Sequence, residues 1–337
     1  MLRFLAFAIL SAVLISCQDS ELIQRDYFDL LAFPDTIPIP ASNPQTDSRV
    51  LLGRRLFYDP ILSRDSSISC ATCHQPERAF TDALPKSMGI GGSTLTRNSI
   101  SLANVAYQPY LMREGGVPSL EAQVLVPVQE HAEFDFDLYS ISARLNANPD
   151  YVALSLQTYA RIPDPYVVTS AIAAFERTII SKDSKLDDLI NTRSSENWSS
   201  SELEGMDLFF STRTSCSSCH SGFNFSNYAF ENNGLYAEYA DQGKKKLTGK
   251  DSDEALFKVP SLRNVAITAP YMHDGSFADL SAVLTHYNEG GKHHKHQSSL
   301  VRPLGLSAKE LQSLEAFLLT LSDSEFIKRK GLQDPFK

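Results

Sequence analysis
The sequence predicts a mostly α-helical chain built as an internal duplication, and three observations predict it. First, the run Cys70-Ala71-Thr72-Cys73-His74 has an echo in Cys216-Ser217-Ser218-Cys219-His220. Second, a helical pattern runs into each. One is Arg49 to Tyr58, with Leu51, Leu52, Leu56 and Phe57; the other is Gly205 to Phe210, after the capping-box-like start Ser201-Glu202-Leu203-Glu204. Third, an amphipathic stretch closes each unit. Val167 to Ile180 sets Ala171, Phe175 and Ile179 on one side; Ala308 to Leu321 sets Leu311, Leu314, Leu318 and Leu321 in a stripe. Such stripes are core faces, and their recurrence marks a repeated helical unit.

Taken in order, the chain starts with Arg3, an apolar run from Phe4 to Ile15, and Ser16-Cys17. Residues 1–17 have the shape of a secretory signal peptide, too short for a comfortable membrane span. The Leu14-Ile15-Ser16-Cys17 ending is similar to a bacterial lipobox, which would lipidate Cys17; ordinary cleavage that discards Cys17 is the alternative. Residues 18–48 read as a surface tether, since Pro34, Pro38, Pro40 and Pro44 forbid a long helix. The first unit is placed at 49–195 and the second at 196–330. Their boundary falls in a polar, serine-rich stretch that holds Trp198, the chain's one tryptophan. Met88 to Ser93 and Tyr236 to Asp253, with Lys244-Lys245-Lys246, read as surface loops. His293-His294-Lys295-His296 invites a metal reading but is expected as an exposed polar loop.

At 337 residues the chain is long enough for two domains with their own cores. A net charge of −9 excludes a nucleic-acid binder, which needs a basic face, and suits docking to a basic redox partner.

The paired C-x-x-C-H runs carry the chemistry. This pattern attaches a c-type haem: the two sulfurs add to the vinyl groups as thioethers, and the adjoining histidine becomes the proximal iron ligand. A zinc site, a redox dithiol and a structural disulfide are the alternatives, and a second run of the same form disfavours all three. Cys70, Cys73 and His74 would hold one haem, and Cys216, Cys219 and His220 another. That makes the units cytochrome c-like. Four of the five cysteines are then used, leaving Cys17 for lipidation or removal. Haem attachment of this kind places the mature protein on the periplasmic side of a bacterial envelope, with a lipid as its one membrane contact.

From about Leu51 to Leu321 the chain resembles the bacterial dihaem cytochrome c peroxidases and the related methylamine-utilisation enzymes. The likeness rests on Leu56-Phe57-Tyr58-Asp59-Pro60, Phe80-Thr81-Asp82, Arg97-Asn98 and Ser119-Leu120-Glu121-Ala122-Gln123. In the second unit it rests on Pro260-Ser261-Leu262-Arg263-Asn264, Thr268-Ala269-Pro270-Tyr271-Met272-His273-Asp274-Gly275 and His286-Tyr287-Asn288-Glu289-Gly290-Gly291. The resemblance implies a peroxide site at the first haem, lined by Gln123 and Glu133. Moving a proton between the two peroxide oxygens is general acid–base work for a carboxylate. It implies Tyr287 as second ligand of the second iron, with His286 and Met272 as competitors. It also implies a calcium ion held by the Asn98 side chain and the carbonyls of Thr268 and Pro270.

Two departures stand out. No histidine lies between His74 and Arg97 to close the first haem, and His131 is expected at the surface. Where many relatives place a tryptophan between the haems, this chain has Arg113, which leaves direct tunnelling or Tyr107 and Tyr110 to carry electrons. The expected function is reduction of hydrogen peroxide to water with electrons from a small periplasmic donor, a cytochrome c or a cupredoxin. The donor would serve the His220 haem, which passes electrons to the His74 haem. The alternatives are peroxide-dependent oxidation of another protein or a small molecule by a high-valent dihaem, and a non-enzymatic electron carrier. A homodimer is compatible with either.

Overall fold
The computed structural model describes residues 28–337; the signal-peptide and Cys17 expectations lie outside them. The chain is mostly helical, and the described residues contain one small sheet. Helix α1 (Asp47–Tyr58) is capped by the Thr46 hydroxyl, which accepts from the Arg49 N–H, and buries Leu52, Gly53, Leu56 and Phe57. A short helix α2 (Cys70–Cys73) carries the first haem-type run. After it come α3 (Leu120–Gln123), α4 (Leu125–Gln129), α5 (Leu138–Asn146), α6 (Pro149–Tyr159) and α7 (Pro165–Glu176).

The later half opens with α8 (Lys185–Thr192) and α9 (Ser200–Phe210), whose capping box joins Ser199 to Glu202. It continues with α10 (Cys216–Cys219), α11 (Lys245–Thr248), α12 (Leu280–Glu289) and α13 (Ala308–Leu319). Strands β1 (Phe230–Glu231) and β2 (Phe257–Lys258) pair antiparallel.

Two long helix pairs frame the molecule, α1 on α7 and α9 on α13. They meet in the same way. A Cβ added to Gly53 would lie 1.8 Å from the Ala171 carbonyl oxygen, and one added to Gly205 would lie 1.8 Å from that of Ser313. Glycine is therefore what lets each helix touch its partner's backbone. Two buried asparagines repeat the pattern. Asn104 takes the Ser181 N–H on its Oδ1 at 2.9 Å, and Asn264 takes the Asp323 N–H at 2.9 Å, each pinning the chain just beyond a long helix. Both adopt left-handed backbone, φ 58° and 62°, which asparagine tolerates better than most residues.

Two apolar clusters form the core, and neither is made from one half alone. The first joins Phe57, Phe80, Ile172 and Phe175 to Phe326 and Leu332 of the C-terminal tail. The second joins Phe209, Phe225 and Phe317 to Leu186, Leu189 and Ile190 of α8, to Trp198, and to Leu31. The expected surface tether is thus corrected over its described part. Leu31 is buried, Phe33 packs edge-on against Tyr107 and Phe223, and the Asn43 amide donates to the Ser170 carbonyl and to Glu121. Prolines forbid a long helix there but not a strap laid over both halves. Trp198, expected in a linker, is a core residue for the same nonlocal reason. The expected exposed histidine loop also differs: His294 is buried, and its Nδ1 meets the Asn232 amide at 3.1 Å.

Candidate dihaem site
His74 follows α2 and turns its Nδ1 to the Phe80 carbonyl at 2.9 Å. That carbonyl is presented by two left-handed residues, Ala79 and Phe80. His220 follows α10 and turns its Nδ1 to the Phe225 carbonyl at 3.0 Å, with Phe225 at φ 51°. In both, Nδ1–H is engaged and Nε2 is left to face a metal, which fixes the tautomer and makes the imidazole a better donor. Burial holds both imidazoles below their usual pKa, in the neutral form that ligates iron. The four cysteines are unbridged and half-buried. The alternative of a structural disulfide in either run is not what the fold contains, and the residues fit two covalent haems.

Around the first run, α3, α4 and the turn after them fold as one piece. The N–H groups of Phe134 and Phe136 return to the carbonyls of Pro127 and Val128. This piece carries Gln123 at the end of α3 and Glu133 in the turn. Burial, with the neighbouring Glu130 charge, pushes the Glu133 carboxyl up to about 7. Its charge acts in turn on the Cys70 and Cys73 thiols, so it lies near the cysteines that would attach a haem. The Met88–Ser93 loop closes the arrangement: the Ile90 N–H donates to the Glu133 carbonyl at 3.0 Å, and the Met88 carbonyl lies 3.9 Å from the Cys73 sulfur. Gly89 is needed there, since a Cβ would stand 1.7 Å from the Ala132 carbonyl oxygen. His131 is at the surface, its side chain 93% exposed and paired with Asp135.

Around the second run lies a cavity of ≈ 320 Å³ lined by Cys216, Cys219, His220, Met272, Tyr287 and Asn233, among others. Tyr287 comes from α12. Burial pushes its phenol up to about 12, against a hydrogen bond with the Asn233 side chain that lowers it. The same amide donates to the Met272 sulfur at 3.2 Å. His286 turns away, with Nε2 3.0 Å from the Asn233 carbonyl, and does not line the cavity. Sequence reasoning missed Asn233, because an amide in a loop carries no motif.

The cavity reaches the first half at Asn98 and Arg113, which face Thr268 and Pro270 of the second half across it. Arg113 is half-buried among these, and its Nη2 donates to the Asn98 carbonyl at 2.9 Å and lies 3.4 Å from Asn98 Oδ1. Burial first, and the Arg97 charge second, lower it to about 10, where it remains a cation. Lys258 sits beside it with Nζ on Gln108 and the Tyr110 carbonyl, lowered to about 8 by burial and by Arg113. Arg97 grips Asp241 through two hydrogen bonds, 2.6 and 2.9 Å, tying the halves together. Tyr107 packs between Phe33 and Phe223, and Tyr110 is half exposed; neither lines the cavity.

The comparisons with known proteins agree. A family profile described as di-haem cytochrome c peroxidase matches residues 47–195. The methylamine utilization protein MauG of Methylorubrum extorquens is 34% identical over 292 residues, covering 86% of this chain and 82% of its own. The cytochrome-c peroxidase IdrP1 of Denitromonas iodatirespirans is 32% identical, covering 86% and 85%. Among solved structures, a MauG-like protein associated with microbial copper homeostasis superposes with a TM-score of 0.84 at 32% identity, covering 90% of this chain and 99% of the other.

Proposed function
The chain belongs to the di-haem cytochrome c peroxidase family, and we propose that it reduces hydrogen peroxide to water with electrons from a small redox protein. It is an oxidoreductase of the cytochrome-c-peroxidase class. The two c-type haems, held by Cys70, Cys73 and His74 and by Cys216, Cys219 and His220, would supply the redox equivalents and an iron face for peroxide. The chain's own residues supply the proton movement. As a carboxylate, Glu133 takes the proton from the nearer peroxide oxygen and returns it to the farther one, which leaves as water. A pKa near 7 makes both half-steps nearly balanced at neutral pH. Gln123 orients peroxide through its amide, which makes no hydrogen bond to another described side chain. The observation that carries this reading is Glu133, half-buried, raised, and near enough for its charge to act on the Cys70 and Cys73 thiols. Its test is peroxide-dependent oxidation of a reduced cytochrome c, which should collapse in Glu133→Gln; an unchanged rate would overturn the assignment.

In this reading the donor, a cytochrome c or cupredoxin, docks on the His220 half. Tyr287 would supply the second protein ligand to that iron, with Met272 as its competitor, and the Asn233 side chain touches both. A calcium ion held by Asn98, Thr268 and Pro270 would bridge the halves, weakened by the Arg113 guanidinium at Asn98. Chelation followed by metal analysis tests it. The matched glycine contacts and asparagine pins support a tandem duplication, with units at 49–195 and 196–330 that lend segments to each other's core. Attachment to the periplasmic side through Cys17 is tested by radiolabelled fatty acid and by Cys17→Ser. A homodimer is tested by sedimentation.

A second reading keeps the peroxide chemistry and takes the electrons from another protein's side chain. The phenol at Tyr287, which favours a more oxidised iron than a thioether would, supports it. A protein substrate, once identified, should gain oxygen or lose hydrogen on peroxide addition; no mass change would end this reading.

A further inference from the structure
The segment that begins at Tyr236 reads in sequence as a plain surface loop, yet it leads from the second cavity to the solvent. Asn233, which touches both Tyr287 and Met272, is the inner end. Its Oδ1 lies 3.2 Å from the hydroxyl of Tyr239, which also accepts the Leu235 N–H at 2.8 Å. The Tyr239 ring packs edge-on against Tyr236, with centroids 5.4 Å apart. Tyr236 is 36% exposed, and its hydroxyl donates to Asp274 Oδ2 at 2.7 Å. Both rings also approach His273, at 6.3 and 5.8 Å.

We propose that Tyr236 is a surface redox port, oxidised from within and reduced from outside, with Asp274 as its proton acceptor. This rests on the peroxide reading, since hydrogen peroxide supplies the oxidising equivalents. In each step Tyr236 gives one electron inward. Its O–H bond breaks, an O–H bond forms on Asp274, and a neutral tyrosyl radical remains. An external donor then returns one electron, and Asp274 returns the proton. Two such cycles consume one peroxide.

Phenol oxidation near neutral pH needs a base, because the radical cation is a far stronger acid than the phenol, and this decides between the tyrosines. Tyr239 faces amide oxygens, which are too weakly basic to take the proton, so it serves as a packed bridge. Among the described tyrosines only Tyr151 and Tyr236 donate to a carboxylate, and Tyr151 is buried in the first core. Exposed Tyr110 and Tyr139 have no such acceptor. Asp274 is well placed as one: its Oδ2 lies 2.7 Å from the Tyr236 hydroxyl, and its Oδ1 accepts the Ser276 N–H at 3.2 Å.

The test uses the dihaem holoprotein mixed with one equivalent of hydrogen peroxide, without donor, and frozen at successive times for spin resonance. A tyrosyl radical should form in the wild type and in Tyr110→Phe and Tyr139→Phe. It should be absent in Tyr236→Phe, which keeps the ring and its packing. In Asp274→Asn, which keeps a hydrogen-bonding partner but no base, it should form about 10²-fold more slowly. An undiminished radical in Tyr236→Phe overturns the port, even where the haem absorption responds to peroxide as in the wild type. Haem absorption that ignores peroxide in the wild type overturns the peroxide reading, and the port with it.

Discussion

In both halves a half-buried histidine gives its Nδ1–H to a phenylalanine carbonyl, Phe80 in one and Phe225 in the other, after a one-turn helix bearing two cysteines. The surroundings diverge. The first half faces Glu133, a carboxyl raised to about 7 by burial; the second faces a phenol, a thioether and the amide that joins them. The long helices diverge in the same sense. Counting from the matched pairs Ala171 and Ser313, Phe175 and Phe317, the first pair ends on buried Glu176 where the second has buried Leu318. The same cysteine–histidine frame is thus flanked by a raised carboxyl in one half and by a phenol, a thioether and an amide in the other, and the proposed division of labour rests on that difference. Its surroundings, rather than its ligating run, set what each half can do.

The change with the largest expected effect strikes the proton-handling side. Glu133→Gln should lower the peroxide-dependent rate by about 10² to 10⁴-fold while leaving the optical signature of the His220 half as it was. The pH profile sharpens the point. Because the carboxylate is the competent base, the wild-type rate should rise with pH through about 7, and the glutamine variant should lack that limb. A variant that kept the limb would place the base elsewhere and erase the contrast between the halves.

Next comes Glu176, one oxygen of which is buried without a partner. Burial raises its carboxyl from 4.5 to about 8, with Arg177 opposing and Glu121 reinforcing. A carboxyl raised by the fold favours the protonated native state. Its stabilising contribution is fully present below about 4.5 and is lost as pH rises to about 8. Glu176→Gln should therefore gain stability on the order of a few kcal/mol at pH 8 relative to wild type and gain none at pH 4.5, measured as thermal midpoints of the holoprotein. Glu176→Leu makes the first half like the second at this position and should act likewise; a pH-independent effect would detach Glu176 from the comparison.

The helix crossings give a smaller effect and a stricter test of equivalence. Alanine in place of a helical glycine gains about 1 kcal/mol from the backbone. Here the added Cβ would sit 1.8 Å from a carbonyl oxygen, so the helices must part, and overpacking of this kind costs about 1–3 kcal/mol. The clash should win at both sites. Gly53→Ala and Gly205→Ala should each lower stability in chemical denaturation, by similar amounts; a loss at one site alone would show that the two crossings are not the same device.

Much of this architecture was legible in the sequence because it is local. The C-x-x-C-H runs need five consecutive residues, and the α1, α9 and α13 patterns need one helix face each. Helix α7 likewise followed from Ala171 and Phe175. What escaped is nonlocal. Leu31 and Phe33 sit among prolines that suggest a loop, and only the folded partners, the second core for Leu31 and Tyr107 and Phe223 for Phe33, reveal them as fasteners. Helix α8 is amphipathic enough to predict, but nothing along it says that it serves the second core. Asn233 and the Phe80 and Phe225 carbonyls act through backbone shape or a neutral amide, which leave no pattern. Glu133 lay between: its position came from the family resemblance, and its burial came from the fold.

The smallest expected effect belongs to His131, two residues from Glu133 and the one histidine near the first run that could reach for iron. Its side chain is almost wholly exposed, and its Nδ1 is held by Asp135 at 2.6 Å, which raises its pKa. An exposed imidazole tied to Asp135 stays at the surface, so His131→Ala should leave the ferric spectrum and the peroxide rate unchanged. The measurement is sharper than its null outcome suggests. A shift from low-spin to high-spin iron on losing His131 would mean that the first half carries a closing ligand after all, making the two halves alike in coordination. Unchanged spectra leave the difference where the structure puts it, in Glu133 on one side and Tyr287, Met272 and Asn233 on the other.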